Sequence, residues 1–228
     1  MDKVDKLVIN INGSAGVGKT TFAKKLQEFI IEYSNEDQKY NKFALKLKPE
    51  LVGEFATELI EQGKFEDLKN QPFVTQGQID KLEQAFKKSD LVITDSPLVL
   101  GRIYNQDDTK INEVSNLINE AEQKYISIDL FLQHNEETIK TYNMQGRVHT
   151  LAQSMTKQNE LLDNLYASGK KIITINRNGD LEMIYAKIQN TKEFRAFEDT
   201  HFGKSTFREI VDTTNENKNK EKSIRKKR

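Results

Sequence analysis

No cysteine occurs among the 228 residues. That excludes a disulfide framework and a cysteine-held metal site, and it suits a reducing compartment. Tryptophan is missing too, so any aromatic wall around a ligand falls to seven Tyr and twelve Phe. Net charge is absent, because 35 Lys and Arg balance 35 Asp and Glu. The chain as a whole therefore exerts no general pull on nucleic acid or on an anionic membrane surface. No apolar run approaches the roughly 20 residues that a membrane-crossing helix needs. Met1-Asp2-Lys3 leads directly into an apolar segment, so no signal peptide is expected. His134, His149 and His201 lack the spacing of metal ligands. These absences set the expectation of a cytoplasmic protein with no membrane partner, and the length suffices for one α/β domain.

Against this background, Gly13-Ser14-Ala15-Gly16-Val17-Gly18-Lys19-Thr20 matches the pattern G-x-x-x-x-G-K-[ST] without departure, and Thr21 continues it. Glycines let such a loop take left-handed angles and turn its backbone N–H groups inward around a phosphate. Lys19 supplies a mobile positive charge to the β- and γ-phosphates, and the Thr20 hydroxyl is placed to ligate Mg²⁺. The flanks agree. Leu7-Val8-Ile9-Asn10-Ile11 reads as a buried strand, and from Thr20 to Tyr33 the residues Phe22, Leu26, Phe29, Ile30 and Tyr33 share one helical face. The start of that helix directs its partial positive charge at the same anion.

Further along, Lys42-Phe43-Ala44-Leu45-Lys46-Leu47-Lys48 alternates apolar and charged residues, which predicts a second strand near a sheet edge. Pro49 is expected to open a helix that runs through Phe55, Leu59 and Ile60 to Gly63, and another helical stripe spans Gln76 to Lys88. Leu91-Val92-Ile93-Thr94 is an apolar strand ending in Asp95, followed by Ser96-Pro97. A helix is expected from Ile111 to Tyr125, a strand over 126–132, a long helix from Leu151 to near Gly169, a strand over 171–175 and a last clear helix from Leu181 to Ile188. Five strands alternating with helices predict a parallel sheet covered on both faces. The apolar pattern stops near Asp212. Residues 212–228 carry seven Lys or Arg against three Asp or Glu, a basic tail expected to be disordered, which leaves 1–211 as the single domain.

Several side chains are candidates for chemistry beyond the loop. Asp95 ends the third apolar strand, where a second Mg²⁺-organising carboxylate belongs. Arg147 follows Gly146 in a polar stretch and is a candidate lid residue that neutralises charge developing on the phosphates. Arg102 is a candidate clamp for an anionic acceptor, and Arg177, just after the last strand, for the nucleotide base. Glu54 is a candidate for orienting an acceptor hydroxyl, whereas Glu50 reads more simply as compensation of a helix dipole.

On the loop Gly13–Thr20, Gly53-Glu54-Phe55-Ala56, Gln76-Gly77-Gln78, Thr94-Asp95-Ser96-Pro97 and Tyr142 through Gly146-Arg147, the chain resembles small P-loop kinases of the nucleoside and nucleotide kinase group. Within that group it is similar to ATPase/kinase proteins related to the ribosylnicotinamide kinase domain of bifunctional NAD-biosynthesis enzymes. The resemblance implies an α/β three-layer sandwich with a five-stranded parallel sheet and a lid segment. It further implies that Lys19 and Thr20 serve ATP and Mg²⁺, Asp95 the metal or acceptor, and Arg147 the lid. One departure is the lack of a carboxylate–Arg pair directly after the third strand, which deoxynucleoside kinases carry.

The expected activity is transfer of the γ-phosphoryl group of ATP to a small acceptor, a nucleoside or nucleotide, with ribosylnicotinamide among the candidates. Two alternatives stay open. One is a kinase acting on nucleic-acid ends or modified bases, favoured by the basic tail alone. The other is an ATP-switched binding ATPase. A GTPase is disfavoured because Asn176-Arg177-Asn178-Gly179 is not the base-reading run Asn-Lys-x-Asp. Replacing Lys19 by Ala is expected to abolish ATP turnover while the far-ultraviolet circular dichroism stays that of the parent. Retained turnover in a folded Lys19→Ala protein would refute the assignment of the loop.

Overall fold

Leu7-Val8-Ile9-Asn10-Ile11-Asn12 buries all six side chains, which a strand can do only in the interior of a sheet covered on both faces. In the computed structural model, which describes residues 5–40, 45–134, 136–140, 142 and 150–202, this segment is β1 at the sheet centre. In chain order the described elements are β1 (Leu7–Asn12), α1 (Lys19–Tyr40), β2 (Glu50–Val52), α2 (Phe55–Glu61), α3 (Gln71–Ala85), β3 (Leu91–Thr94), α4 (Leu100–Tyr104), α5 (Ile111–Glu122), β4 (Ile126–Leu132), α6 (Glu136–Lys140), α7 (Leu151–Ala167), β5 (Ile172–Ile175), α8 (Leu181–Gln189) and α9 (Lys192–Phe202). The strand order is β2-β3-β1-β4-β5, and every pairing is parallel. The expected α/β architecture is therefore present.

The period of two along the strands sorts the core. Leu7, Ile9 and Ile11 of β1 with Ile128, Leu130 and Leu132 of β4 meet α1, α8 and α9 on one face. On the other face Val8 and Val92 meet α3 and α5, and Phe131 meets α4 and α7. Among the described residues no helix is long and apolar enough to cross a membrane.

The second strand departs from expectation. It lies at the sheet edge, but it consists of Glu50–Val52 rather than Lys42–Lys48. Residues 41–44 lie outside the described residues, and 45–49 are not in a strand. Leu47 is buried and Leu45 half-buried against the core beside α1. Backbone carbonyls there are met by α1 side chains instead of a strand: Ser34 Oγ donates to Leu47 O at 3.2 Å and Gln27 Nε2 to Pro49 O at 2.8 Å. Alternation thus reported burial, not ladder pairing. Pro49 leads into β2 and opens no helix. The helix expected from Gln76 begins earlier, at Gln71, with Asn70 as its cap.

α9 carries no periodic run long enough to stand out in the sequence, yet Phe194 and Phe197 are almost fully buried under the sheet. Tyr185 packs edge-on to Phe194 with ring centroids 6.0 Å apart. Phe194→Ala is expected to destabilise the protein by about 3–5 kcal/mol, read as a lowered midpoint in chemical denaturation. A change below about 1 kcal/mol would mean that α9 contributes little to the core.

Candidate active site

Adjacent strands β1 and β3 send their connections in opposite directions, since β1 continues to β2 on one side and β3 to β4 on the other. Such a divergence opens a crevice at the carboxyl ends of the two strands, where parallel α/β sheets bind ligands. The loop 13–20 leaves β1 at this point, and Asp95 leaves β3.

Gly13 has φ +146°, and a Cβ there would lie 2.7 Å from Leu132 O and 2.9 Å from Val17 Cγ1. Only glycine fits, because both the angle and the space exclude a side chain. Gly16 and Gly18 also have positive φ, at +81° and +97°. The Lys19 ammonium reaches back across the loop and donates to Ser14 O at 3.0 Å. Thr20 Oγ1 donates to Asp95 Oδ2 at 2.5 Å, so residues 75 positions apart in sequence share one centre. Asp95 Oδ1 and Ser14 Oγ are buried with no partner among the described residues. Beneath the loop, Asn10 and Asn12 donate to the buried Asp129 Oδ1 at 3.0 and 2.9 Å. Burial pushes the Asp129 carboxyl above the usual range, against the opposing pull of Lys170.

A hydroxyl and a carboxylate are hard oxygen donors of the kind Mg²⁺ takes, with phosphate oxygens and water completing the shell. Among the described residues no group of three or more His, Cys, Asp or Glu could hold a metal alone. Thr20 and the orphaned oxygen of Asp95 therefore fit a phosphate-borne cation, not a protein-only cage.

A model of an AAA domain matches residues 8–183. The chain belongs to this AAA-domain family. A search of curated proteins finds no match. Among solved structures, this AAA-domain chain is similar to a NadR protein in complex with NR, at 17% identity and TM-score 0.58 over 86% of this chain and 51% of that one. A NadR protein in complex with NAD and AMP-PNP gives 14% identity and TM-score 0.59, over 83% and 50%. Thymidylate kinase from Ehrlichia chaffeensis gives 14% identity and TM-score 0.51, over 80% and 96%. The chain thus spans about half the length of the NadR chains. At these identities the likeness establishes the fold alone, a parallel α/β fold shared with the NadR proteins and the thymidylate kinase.

The other candidates of the AAA-domain chain fall in different places. A side chain at Gly18 would lie 3.5 Å from Arg177 Cδ, so the Arg177 stem runs beside the loop. Together with Thr21, Phe22, Lys25 and Asn178 they line a cavity of about 220 Å³. Arg102 donates to Asn119 Oδ1 on α5 at 2.8 Å. Glu54 stands at the start of α2, accepts from Thr57 Oγ1 at 2.8 Å and is exposed. Glu50 is on β2, not in a helical first turn. Arg147 and the tail 212–228 lie outside the described residues.

Sequence reasoning missed Tyr104. Burial and then the charge of Glu54 push its phenol up to about 12, with Tyr142 and Glu160 also within electrostatic reach. Gln78 was also missed in this role: its Oε1 accepts from Phe55 N at 2.8 Å and its Nε2 donates to Gly53 O at 3.3 Å, which clamps the turn bearing Glu54. A larger cavity of about 450 Å³ runs along the open side of β2, from Gly53 and Phe55 to Glu50 and Lys88. Neither Lys19 nor Asp95 lines it.

Asp95→Asn keeps an oxygen for the Thr20 hydroxyl but removes the charge. It is expected to lower turnover by about a hundredfold or more while nucleotide affinity changes by less than tenfold, since charge develops in the transition state. Turnover within a few-fold of the parent would reduce Asp95 to a turn residue.

Proposed function

We propose that the chain is an ATP-dependent kinase that passes a γ-phosphoryl group to a small acceptor, a nucleoside or nucleotide. The observation that carries this reading is the contact between Thr20 and Asp95 at the mouth of the crevice, beside Lys19. The acceptor oxygen attacks the γ-phosphorus, the bond to the β-phosphate oxygen breaks, and ADP leaves. Lys19 and the loop N–H groups hold the β- and γ-phosphates. Mg²⁺, held by Thr20 and organised by Asp95, would neutralise charge on the phosphate oxygens. Arg177, beside Gly18 in the cavity of about 220 Å³, is read as the base-side residue. Glu54, close enough to Tyr104 to act on it electrostatically, is read as the group that orients the acceptor hydroxyl and takes its proton.

Other parts of the reading rest on sequence. Arg147 is proposed as the lid arginine, Arg102 as a clamp for an anionic acceptor, residues 1–211 as the kinase domain and 212–228 as a basic tail. The absence of cysteine supports a reducing, cytoplasmic setting. Similarity to a NadR protein in complex with NR supports including ribosylnicotinamide among the acceptors. The net charge of +4 on the tail favours one second reading, a kinase acting on nucleic acid.

Incubating γ-labelled ATP with nucleosides, nucleotides, ribosylnicotinamide and DNA separates these outcomes. Label is expected on a nucleoside or nucleotide, with little dependence on salt. Label on DNA alone, lost steeply as salt rises, would favour the nucleic-acid reading. ATP binding without transfer to any acceptor would leave a nucleotide-switched binding module.

A further inference from the structure

A loop that turns its N–H groups toward a phosphate must turn carbonyls the other way, and each of those needs a partner. Ala15 O finds one far away in sequence: Ser154 Oγ, in the first turn of α7, donates to it at 2.7 Å. Ser154 is almost fully buried. Its N-terminal turn is fixed by a reciprocal cap between Thr150 and Gln153 and by the bond from Ser154 N to Thr150 O.

The Ser154 hydroxyl has one proton, and a carbonyl can only accept it. His134 Nε2 lies 3.2 Å from the same oxygen, so in that contact Ser154 accepts and His134 Nε2 carries the hydrogen. His134 is held in turn: its backbone N donates to Gln158 Oε1 at 3.1 Å, and Nδ1 lies 3.2 Å from Thr138 Oγ1. The relay therefore joins the end of β4, α6, α7 and the phosphate loop.

The planar trans peptide makes this matter at the ligand. Ala15 C=O and Gly16 N–H belong to one peptide and point in opposite directions. Holding the carbonyl toward α7 aims the Gly16 N–H the opposite way, away from α7. Gly16, with φ +81°, has no Cβ to resist that setting.

We propose that Ser154 and His134 are positioning residues of the nucleotide site, His134 orienting the Ser154 hydroxyl and Ser154 presetting the Gly16 N–H for a phosphate of the bound nucleotide. The inference rests on the reading of Gly13–Thr20 as a nucleotide loop, not on the identity of the acceptor. It also makes α7, rather than the loop alone, part of the phosphate site.

The test is calorimetric titration of Mg²⁺ and AMP-PNP into the full chain and its variants. Ser154→Ala is expected to weaken binding about fivefold, the worth of one hydrogen bond. His134→Ala is expected to do the same, while His134→Gln, which keeps an N–H donor near the hydroxyl, stays close to the parent. Ser154→Ala combined with His134→Ala should bind no more weakly than Ser154→Ala alone, because the two act in series. A merely structural role would lower the melting temperature and leave the affinity of the folded protein unchanged. Parental affinity in Ser154→Ala therefore overturns the proposal, as do losses that multiply in the double variant. A parent that binds no AMP-PNP refutes the nucleotide-site reading itself.

Discussion

A ring of backbone N–H groups around an anion is half of a peptide constraint. The other half is a set of carbonyls pointing away, each of which must be met. In this chain one of them is met from α7, through Ser154. The strand beneath is held from the adjacent strand, through the amides of Asn10 and Asn12 on Asp129. The loop is thus held from the side, and the strand that feeds it is held from its neighbour.

The strand order does the rest. With β1 between β3 and β4, the loop after β1 and the carboxylate after β3 emerge side by side, and the Thr20–Asp95 contact follows. The turn after edge strand β2 carries Glu54, and Gln78 fixes that turn by bonding its backbone on both sides. A short edge strand suffices for this purpose. Three residues of β2 pair with β3, while the preceding apolar residues anchor to α1 through side chains.

Most local signals carried by a single element survived translation from sequence to structure. The loop, the strands around Leu7–Asn12, Leu91–Thr94 and Ile126–Leu132, and the helices with clear apolar stripes were legible, because period and composition are properties of contiguous residues. The segment Lys42–Lys48 misled, because alternation records which side chains are buried and not which backbone they pair with. α9 escaped because two phenylalanines, Phe194 and Phe197, bury it without a long stripe.

What the sequence determined by itself was a glycine-rich loop of the pattern G-x-x-x-x-G-K-[ST] between a buried strand and a helix, inside a parallel α/β chain. Glycine angles, a lysine at fixed spacing and an apolar flank are all encoded within about twenty consecutive residues. The strand order, the meeting of Thr20 with Asp95, and the relay Ala15–Ser154–His134 were decided only by tertiary structure. Those contacts join residues 75, 139 and 20 positions apart, and no local pattern specifies which distant hydroxyl or carboxylate will be delivered to a given loop. His134 illustrates the limit. Its spacing to other histidines carries no signal, and its partners become identifiable only when the end of β4 and the first turn of α7 pack against the same loop.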